Sequence, residues 1–270
     1  MRLRFDLLLI LPAALFALAF FVVPMVRLAL VGAAGPDGLW AYLSVLTNAR
    51  HREVMIATLL LSAAVTAATL VLATAAALFL ARHRFPGRGA LVALLTFPLA
   101  FPGVVIGFMI ILLAGRQGLV GQVSDALIGE RIVFAYSMLG LFAGYLYFSL
   151  PRVLVTVMAG VETIDPALAE AARSLGAKPL HVLRDVTLPA LKPALVASGA
   201  IAFATAMGAF GTAFTLATEI DVLPMLIYTE FTLQANFATA GALAIVLGLV
   251  TWAALLVARA FGGARVAAAG

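Results

Sequence analysis

Residues 238–260 read ATAGALAIVLGLVTWAALLVARA, a run of 23 residues in which Arg259, next to the end, is the single charged side chain. An α-helix needs about 20 apolar residues to cross the hydrocarbon core of a bilayer. Backbone polar groups in lipid must pair within their own segment, which a helix achieves. This stretch therefore predicts a transmembrane helix and an all-α membrane protein.

Five further apolar stretches of similar length precede it. They run over Leu7–Val31, Val54–Ala81, Ala90–Ala114, Ile132–Met158 and Ala190–Leu216. The composition agrees, since 64% of the 270 residues are hydrophobic and 11% are charged, against roughly 45–50% and about 25% in soluble domains. We predict a polytopic protein with six transmembrane helices, folded as one transmembrane domain over residues 1–270. The first stretch is too long for a signal peptide and is interpreted as an uncleaved anchor.

Basic residues indicate how the spans are oriented, because they gather on cytoplasmic loops. With a cytoplasmic N-terminus, twelve of the 17 Lys and Arg residues fall on the cytoplasmic side. These twelve are Arg2, Arg4, Arg82, Arg84, Arg88, Arg152, Arg173, Lys178, Arg184, Lys192, Arg259 and Arg265. The sequence thus predicts a multi-pass protein of the bacterial inner membrane with both termini cytoplasmic. This distribution accounts for the net charge of +5 without a nucleic-acid partner.

Several classes of chemistry are disfavoured by what the sequence lacks. It has no Cys, which removes disulfides, zinc–thiolate sites and Cys nucleophiles. It has no phosphate-binding loop, so we do not expect it to hydrolyse ATP itself. Its three histidines, at positions 51, 83 and 181, lack metal-ligand spacing. We therefore expect no catalytic residues, no cofactor and no metal site. The spans carry almost no charge apart from Arg27, which disfavours an ion-coupled carrier.

The loop between the fourth and fifth stretches, from about Arg152 to Pro189, looks helical. Asp165 and Pro166 suit the cap and the first position of a helix, and Gly176 suits its left-handed end. Two apolar stripes have helical spacing: Leu168, Ala171, Ala172 and Leu175, then Pro179, Val182, Leu183 and Val186. Two short amphipathic helices are predicted, with the fifth span opening at Leu188 and Pro189. They pack either on the ends of their own spans or in a groove of a partner protein.

This loop resembles a known motif. Glu170-Ala171-Ala172, three residues, Gly176, nine residues, and Val186-x-Leu188-Pro189 are similar to the EAA loop of permease subunits from bacterial binding-protein-dependent ABC importers; that family usually has Ile where this chain has Val186. The resemblance implies a type I importer permease fold. It also implies that residues of about 160–189 form a coupling helix that fits a cleft of a cytoplasmic ATPase. The implied partners are an ABC ATPase dimer, a second permease subunit, a periplasmic substrate-binding protein and the lipid bilayer.

Two other segments resemble one branch of that family. Residues 97–107, FPLAFPGVVIG, and residues 207–213, MGAFGTA, are similar to permeases for polyamines, ferric iron, sulfate/molybdate and 2-aminoethylphosphonate. Ala209 stands where an acidic residue is frequent in that branch. We expect Pro98, Pro102, Phe210 and Thr212 to lie near the subunit interface and the solute path. The alternative for the prolines is a kink that only shapes packing.

The expected function is therefore half of a translocation path, driven by ATP hydrolysis on a partner chain. A self-contained channel or secondary transporter, and a membrane-embedded enzyme, are the alternatives. The fifth loop, about Ala217 to Phe237, carries Glu219, Asp221 and Glu230 without Lys or Arg. These acids form either a solvated surface or a region that attracts a binding protein or a cationic solute.

Overall fold

The computed structural model describes residues 2–216 and 220–262, and every regular element among them is a helix. The α-helices are α1 Arg2–Ala17, α2 Val23–Gly32, α3 Ser44–Thr47, α4 Ala49–Arg82, α5 Arg88–Thr96, α6 Gly103–Ala114, α7 Leu119–Ile128, α8 Met138–Glu162, α9 Pro166–Ser174, α10 Pro179–Val182, α11 Leu188–Met207, α12 Gly211–Leu216, α13 Leu223–Tyr228 and α14 Phe237–Gly262. Tighter 3-10 segments form at Gly38–Leu43 and Phe97–Ala100, and wider π turns form at Leu18–Val22, Leu183–Thr187 and Thr229–Leu233. Glu219, Arg265 and the C-terminal Gly270, which carried expectations above, lie outside the described residues.

Within the described ranges, six helical segments are long and apolar enough to cross a membrane. They are Ile10–Gly32, Ala49–Arg82, Gly103–Ile128, Met138–Glu162, Pro179–Met207 and Phe237–Ala260. The prediction of an all-α fold with six transmembrane helices is therefore confirmed. The first, second, fourth and sixth segments fall where the apolar stretches predicted them, and the third and fifth differ.

The third predicted span, Ala90–Ala114, is wrong as a continuous helix. The chain becomes extended at Phe101 and Pro102, whose ψ angles are 136° and 153°, and α6 begins at Gly103. Proline has no backbone N–H and keeps the residue before it out of the helical region. Pro102 therefore keeps Phe101 extended and ends the first half of the stretch, and the membrane-length segment starts only after it; Phe97, which precedes Pro98, keeps a helical conformation.

The fifth predicted span, Ala190–Leu216, is also wrong at both ends. Helix α11 stops at Met207, the next three residues are not helical, and α12 begins at Gly211. At its other end the segment extends back to Pro179. The composition did not predict the break between Met207 and Gly211, because the residues on either side of it are apolar or small, as in any membrane-spanning helix.

The chain divides into two compact units. The first comprises residues up to 56 together with 223–250. Its buried apolar residues come from the start of α4, from α13 and from the first half of α14, and include Val54, Leu223, Leu226, Ala242 and Leu243. The hydroxyl group of Tyr42 donates a hydrogen bond to the carbonyl oxygen of Ala29, which fastens the 3-10 segment to α2.

The second unit comprises residues 57–222 together with those from 251 onward. Its packed core is formed by Ala73, Ala77, Leu80, Val153, Leu154, Val157 and Ala202, which come from α4, α8 and α11. Alanine in three of these positions allows the helix backbones to approach closely, as is usual between membrane helices. The loop with the EAA-like motif and the two helix breaks both belong to this unit.

Candidate functional site

Helix α9 begins and ends as its sequence signals predict. The carboxylate of Asp165 accepts a hydrogen bond of 2.9 Å from the backbone N–H of Ala167, and Pro166 occupies the first turn. At the other end the N–H of Gly176 donates to the Arg173 carbonyl at 2.9 Å, and the N–H of Ala177 donates to the Ala172 carbonyl at 3.1 Å. This bond pair is a Schellman motif, and it requires the positive φ that Gly176 adopts, 84°. The end of α9 is therefore fixed by hydrogen bonds at Gly176, in the middle of the EAA-like motif.

The apolar face of α9 is uncovered by its own chain. Leu168 is 52% exposed and Leu175 is 89% exposed. Glu170 and Ala171 are exposed as well, and Ala172 is half-buried. Two leucines of the predicted stripe are thus exposed, whereas Ala172 of the same stripe is partly covered.

The second short helix predicted in this loop is wrong as a separate element. Helix α10 runs through the π turn Leu183–Thr187 directly into α11. Pro189 would clash with the carbonyl four residues earlier in a regular helix, and the wider turn before it relieves that clash. Val186 is half-buried within the turn, whereas Leu188 and Pro189 are exposed. These three motif residues are therefore part of the membrane-length segment rather than of a hanging loop.

A charged cleft lies beside α9, and the sequence analysis did not identify it. It has a volume of about 730 Å³ and lies between the end of α4, the start of α5, the end of α8 and α9. Its charged lining residues are Arg82, Arg84, Arg88, Glu162, Asp165, Glu170 and Arg173. Arg88 also donates from its Nε to the carbonyl of Leu80 at 2.7 Å, which caps the end of α4. Glu170 thus stands at the edge of a polar cleft and beside the open apolar face of α9.

Side-chain hydroxyl groups donate hydrogen bonds to backbone carbonyls at the two helix breaks. The hydroxyl of Thr212, at the start of α12, donates to the carbonyl of Gly103, at the start of α6, at 3.0 Å. From α8, the hydroxyl of the buried Tyr145 donates to the carbonyl of Ala209 at 2.6 Å. The Tyr145 bond satisfies a carbonyl oxygen in the break between α11 and α12, and the Thr212 bond ties the start of α12 to the start of α6. The breaks are thus built features of the bundle and not frayed ends.

The helices at these breaks approach so closely that glycine is required. A Cβ placed on Gly107 would lie 1.6 Å from Oγ1 of Thr215, and one on Gly103 would lie 3.0 Å from Oγ1 of Thr212. Of the four residues predicted for the solute path, Thr212 is buried and sits directly against Gly103, next to Pro102. Pro102 is exposed and Phe210 is half-buried. Pro98 is buried one turn earlier, and no contact with the other three is described for it.

Arg152 contradicts one sequence-based expectation, that the spans carry almost no charge apart from Arg27. In the structure it lies in α8, ten residues or about 15 Å before the helix ends at Glu162, and within the membrane-length segment Met138–Glu162. A charged side chain within such a segment is uncommon and usually marks a functional site.

The surroundings of Arg152 are polar and contain no described carboxylate partner. Its guanidinium lies 4.1 Å from the centroid of the Phe148 ring. Hydroxyl-bearing residues of α8 and α11 share a small cavity with it, of about 20 Å³: Ser149, Thr156, Ser198 and Thr205. The Oγ of Ser149 is buried without a hydrogen-bond partner among the described residues. The hydroxyls of Thr156 and Ser198 already donate to the carbonyls of Arg152 and Leu195, so the group offers one positive charge and the unpartnered hydroxyl of Ser149.

Comparison with known proteins places these features in a family. Residues 73–264 match the family model described as "Binding-protein-dependent transport system inner membrane component". The chain is 31% identical over 252 residues to the "Putative 2-aminoethylphosphonate transport system permease protein PhnU" of Salmonella choleraesuis (strain SC-B67), covering 91% of this chain and 88% of that protein. It is 35% identical over 172 residues to the "Sulfate transport system permease protein CysT" of Salmonella typhimurium, covering 62% and 61%.

The fold is also similar to a solved structure. A chain in the crystal structure of a bacterial alginate ABC transporter, in complex with an alginate pentasaccharide-bound periplasmic protein, superposes with a TM-score of 0.82. The match covers 98% of this chain and 96% of that one at 19% identity. At this identity the likeness shows the fold alone.

Proposed function

The chain belongs to the family of binding-protein-dependent transport system inner membrane components, and from that premise we propose that it forms half of the translocation path of an ATP-driven importer. It is a multi-pass protein of the inner membrane and a permease subunit of an ABC importer. The proposal adds that residues 1–270 act as one transmembrane domain, paired with a second permease subunit. It receives solute from a periplasmic binding protein and is driven by a separate ATPase dimer.

The proposal for coupling is carried by one observation, the open apolar face of α9. Leu175 is 89% exposed beside the fixed turn at Gly176. Covering a leucine side chain contributes about 1.5–3 kcal/mol. The groove of an ATPase subunit is the occupant that the EAA-like motif favours. Glu170, Ala171, Ala172 and Gly176 would line this contact. The link from this contact to the fifth span would be formed by Val186, Leu188 and Pro189.

Co-purification tests this contact. The complex is expressed with a tagged ATPase subunit, and the amount of permease recovered is measured for Leu175→Ser. We expect recovery to fall about tenfold, in line with the lost burial. Leu39→Ser is the matched control, because Leu39 is also exposed, at 76%, and lies outside the loop. Equal recovery for the two variants would contradict coupling through α9.

The proposed orientation places both termini and α9 in the cytoplasm, because basic residues concentrate on that side. Alkaline phosphatase fused after Ala177 or after Gly270 should be inactive, and the same enzyme fused after Asn48 should be active. Phosphatase activity at Gly270 would refute a six-span protein with this orientation.

For the solute, we propose a small molecule that carries an oxyanion, of the phosphonate or sulfate kind. Guanidinium groups bind phosphonate and sulfate oxygens through two parallel hydrogen bonds, and hydroxyls donate to the remaining oxygens. Arg152 and its neighbouring hydroxyls offer this combination inside the bundle. Polyamines and ferric iron, which the sequence resemblance also suggested, are positively charged and would be repelled by Arg152. The cavity in this chain holds only a water-sized volume, so the rest of the wall would come from the second subunit.

Uptake into proteoliposomes tests the solute class. Labelled 2-aminoethylphosphonate and sulfate are offered with the complete complex, with and without ATP inside. ATP-dependent uptake of one of them, lost at least tenfold in Arg152→Gln and kept in Arg131→Gln, is expected. Arg131 is a matched control because it is exposed and already paired with Asp125 at 3.1 Å. Uptake without ATP would favour the self-contained channel or secondary transporter instead.

A further inference from the structure

A further polar cavity lies within the first unit. It has a volume of about 530 Å³ and is lined by residues that include Asp37, Trp40, Ser44, His51, Glu230 and Gln234. Its charged lining residues are the two acids, and no Lys or Arg from the described ranges contributes to it. Arg50 and Arg52 flank His51 in the sequence but do not line the cavity. The cavity therefore has a negative character, apart from the charge that His51 can acquire.

Glu230 is the buried acid of this cavity, which disagrees with a solvated surface, one of the two interpretations given for its loop. Its side chain is only 6% exposed. One carboxylate oxygen accepts from Nδ2 of Asn236 at 3.0 Å, and the Glu230 carbonyl accepts from the Asn236 N–H at 2.8 Å. A carboxylate is rarely buried without a cationic or metal partner. No described residue forms an ion pair with it, so the charge is left available to a ligand.

His51 supplies the second, independent sign of a ligand. It is 8% exposed, lines the same cavity, and its Nδ1 has no hydrogen-bond partner among the described residues. The buried Oγ of Ser44, also in the lining, is likewise without a partner in the described chain. Buried polar atoms of this kind are rare in folded proteins unless a ligand, ion or water completes them. Both residues face the cavity that Glu230 occupies.

Two helices begin at this cavity, and the backbone N–H groups described there bond to amide oxygens rather than to the carboxylates. The amide oxygen of Asn48 accepts from the His51 N–H at 3.2 Å, which caps α4. The amide oxygen of Asn236 accepts from the Thr239 N–H at 3.3 Å, which caps α14. Neutral amides thus satisfy the N–H groups at both helix starts. Trp40, 75% exposed, adds an aromatic ring at the rim, which attracts cations through its face.

We propose that this cavity binds a primary ammonium group carried by the transported solute. The ammonium donates to Glu230 and to the free nitrogen of His51, and Trp40 covers its alkyl side. That the ligand is a transported solute rests on the proposed function; the binding itself does not.

The test uses the tryptophan at the rim as a reporter. The chain has two tryptophans, so Trp252→Phe leaves Trp40 as the only indole in the full-length protein, reconstituted in nanodiscs. Its fluorescence is titrated with ethylammonium, with ethanol as the uncharged analogue of similar size, and with N-acetyl-lysinamide. A saturable change with ethylammonium and none with ethanol is expected. Equal responses to the two would overturn the proposal, and this comparison needs no change to Glu230.

The variants then locate the charge. Glu230→Gln keeps an oxygen that can accept from Asn236, and it should weaken ethylammonium binding at least tenfold. Glu53→Gln removes an exposed acid outside the cavity lining and should leave binding unchanged. Binding that is the same in Glu230→Gln as in the parent would overturn the proposal. A tenfold preference for N-acetyl-lysinamide over ethylammonium would assign the cavity to a lysine of a docked protein and overturn the solute assignment. None of these measurements requires ATP, so they can fail while the importer function holds.

Discussion

Replacing Gly176 should uncouple ATP hydrolysis from transport while leaving the membrane helices intact. Gly176 has a φ of 84°, and a Cβ added there would meet no atom of the chain within 4 Å. Any cost inside this subunit therefore comes from the backbone alone, and for alanine it is about 1–2 kcal/mol. That cost reduces the population of the correctly turned loop about 5- to 30-fold relative to the distorted one. A branched residue such as valine should cost more.

The comparison with asparagine separates two reasons for the glycine. Asparagine adopts the left-handed conformation more readily than other residues with a side chain. If the turn is what matters, coupling should decrease in the order Gly, Asn, Ala, Val. If the ATPase must approach the glycine closely, Asn should be worse than Ala because it is larger.

The assay is solute uptake together with ATPase activity of the reconstituted complex, and recovery of the ATPase on a tagged permease confirms assembly. All variants should still insert into the membrane, because Gly176 contributes to the burial of none of the six spans. Normal, solute-stimulated transport in Gly176→Val would refute the role of this turn in coupling.

Three further outcomes follow from the helix breaks. Tyr145→Phe leaves the Ala209 carbonyl without its donor and should lower the stability of the detergent-solubilised protein by about 1–3 kcal/mol, measured by thermal unfolding. Gly107→Ala should reduce the yield of folded protein, because the new methyl would overlap the Thr215 side chain; Thr215→Ala in the same chain should restore part of the yield, and no recovery would argue against this contact. Pro102→Cys, in a chain that has no native cysteine, should react with a water-soluble maleimide and be protected by solute, whereas a residue facing lipid would stay unlabelled.

The sequence predicted the parts of the structure that depend on local chemistry. Asp165 caps a helix and Gly176 ends it because each effect needs only the residue and its own turn. The six spans were predictable because hydropathy is a property of a window of residues. Neither inference requires knowledge of what lies across the bundle.

The parts that were missed depend on contacts between distant segments. The break after Met207 is stabilised from α8 by Tyr145, which is 64 residues away from Ala209. Glu230 was treated as a loop residue, but it is buried at a cavity whose lining combines residues 37–51 with residues 230–239. Arg152 was counted with the loop charges although it lies in α8, because charge was used to place loops and that rule does not recognise a charge within a helix.

The π turn at Leu183–Thr187 makes the direction in which α9 and α10 point a matter of residue count. Such a turn holds one residue more than a regular helix would over the same rise. Deleting Asp185 alone would remove that extra residue and leave the flanking segments in register, but the regular helix that results would bring the Pro189 ring against the carbonyl four residues earlier. A deletion within the regular part of α11 would instead rotate the preceding segment by about 100° around the span and shift it by about 1.5 Å along it. The apolar face that is proposed to dock would then point elsewhere although none of its residues had changed, so insertions and deletions in this segment should be far less tolerated than substitutions.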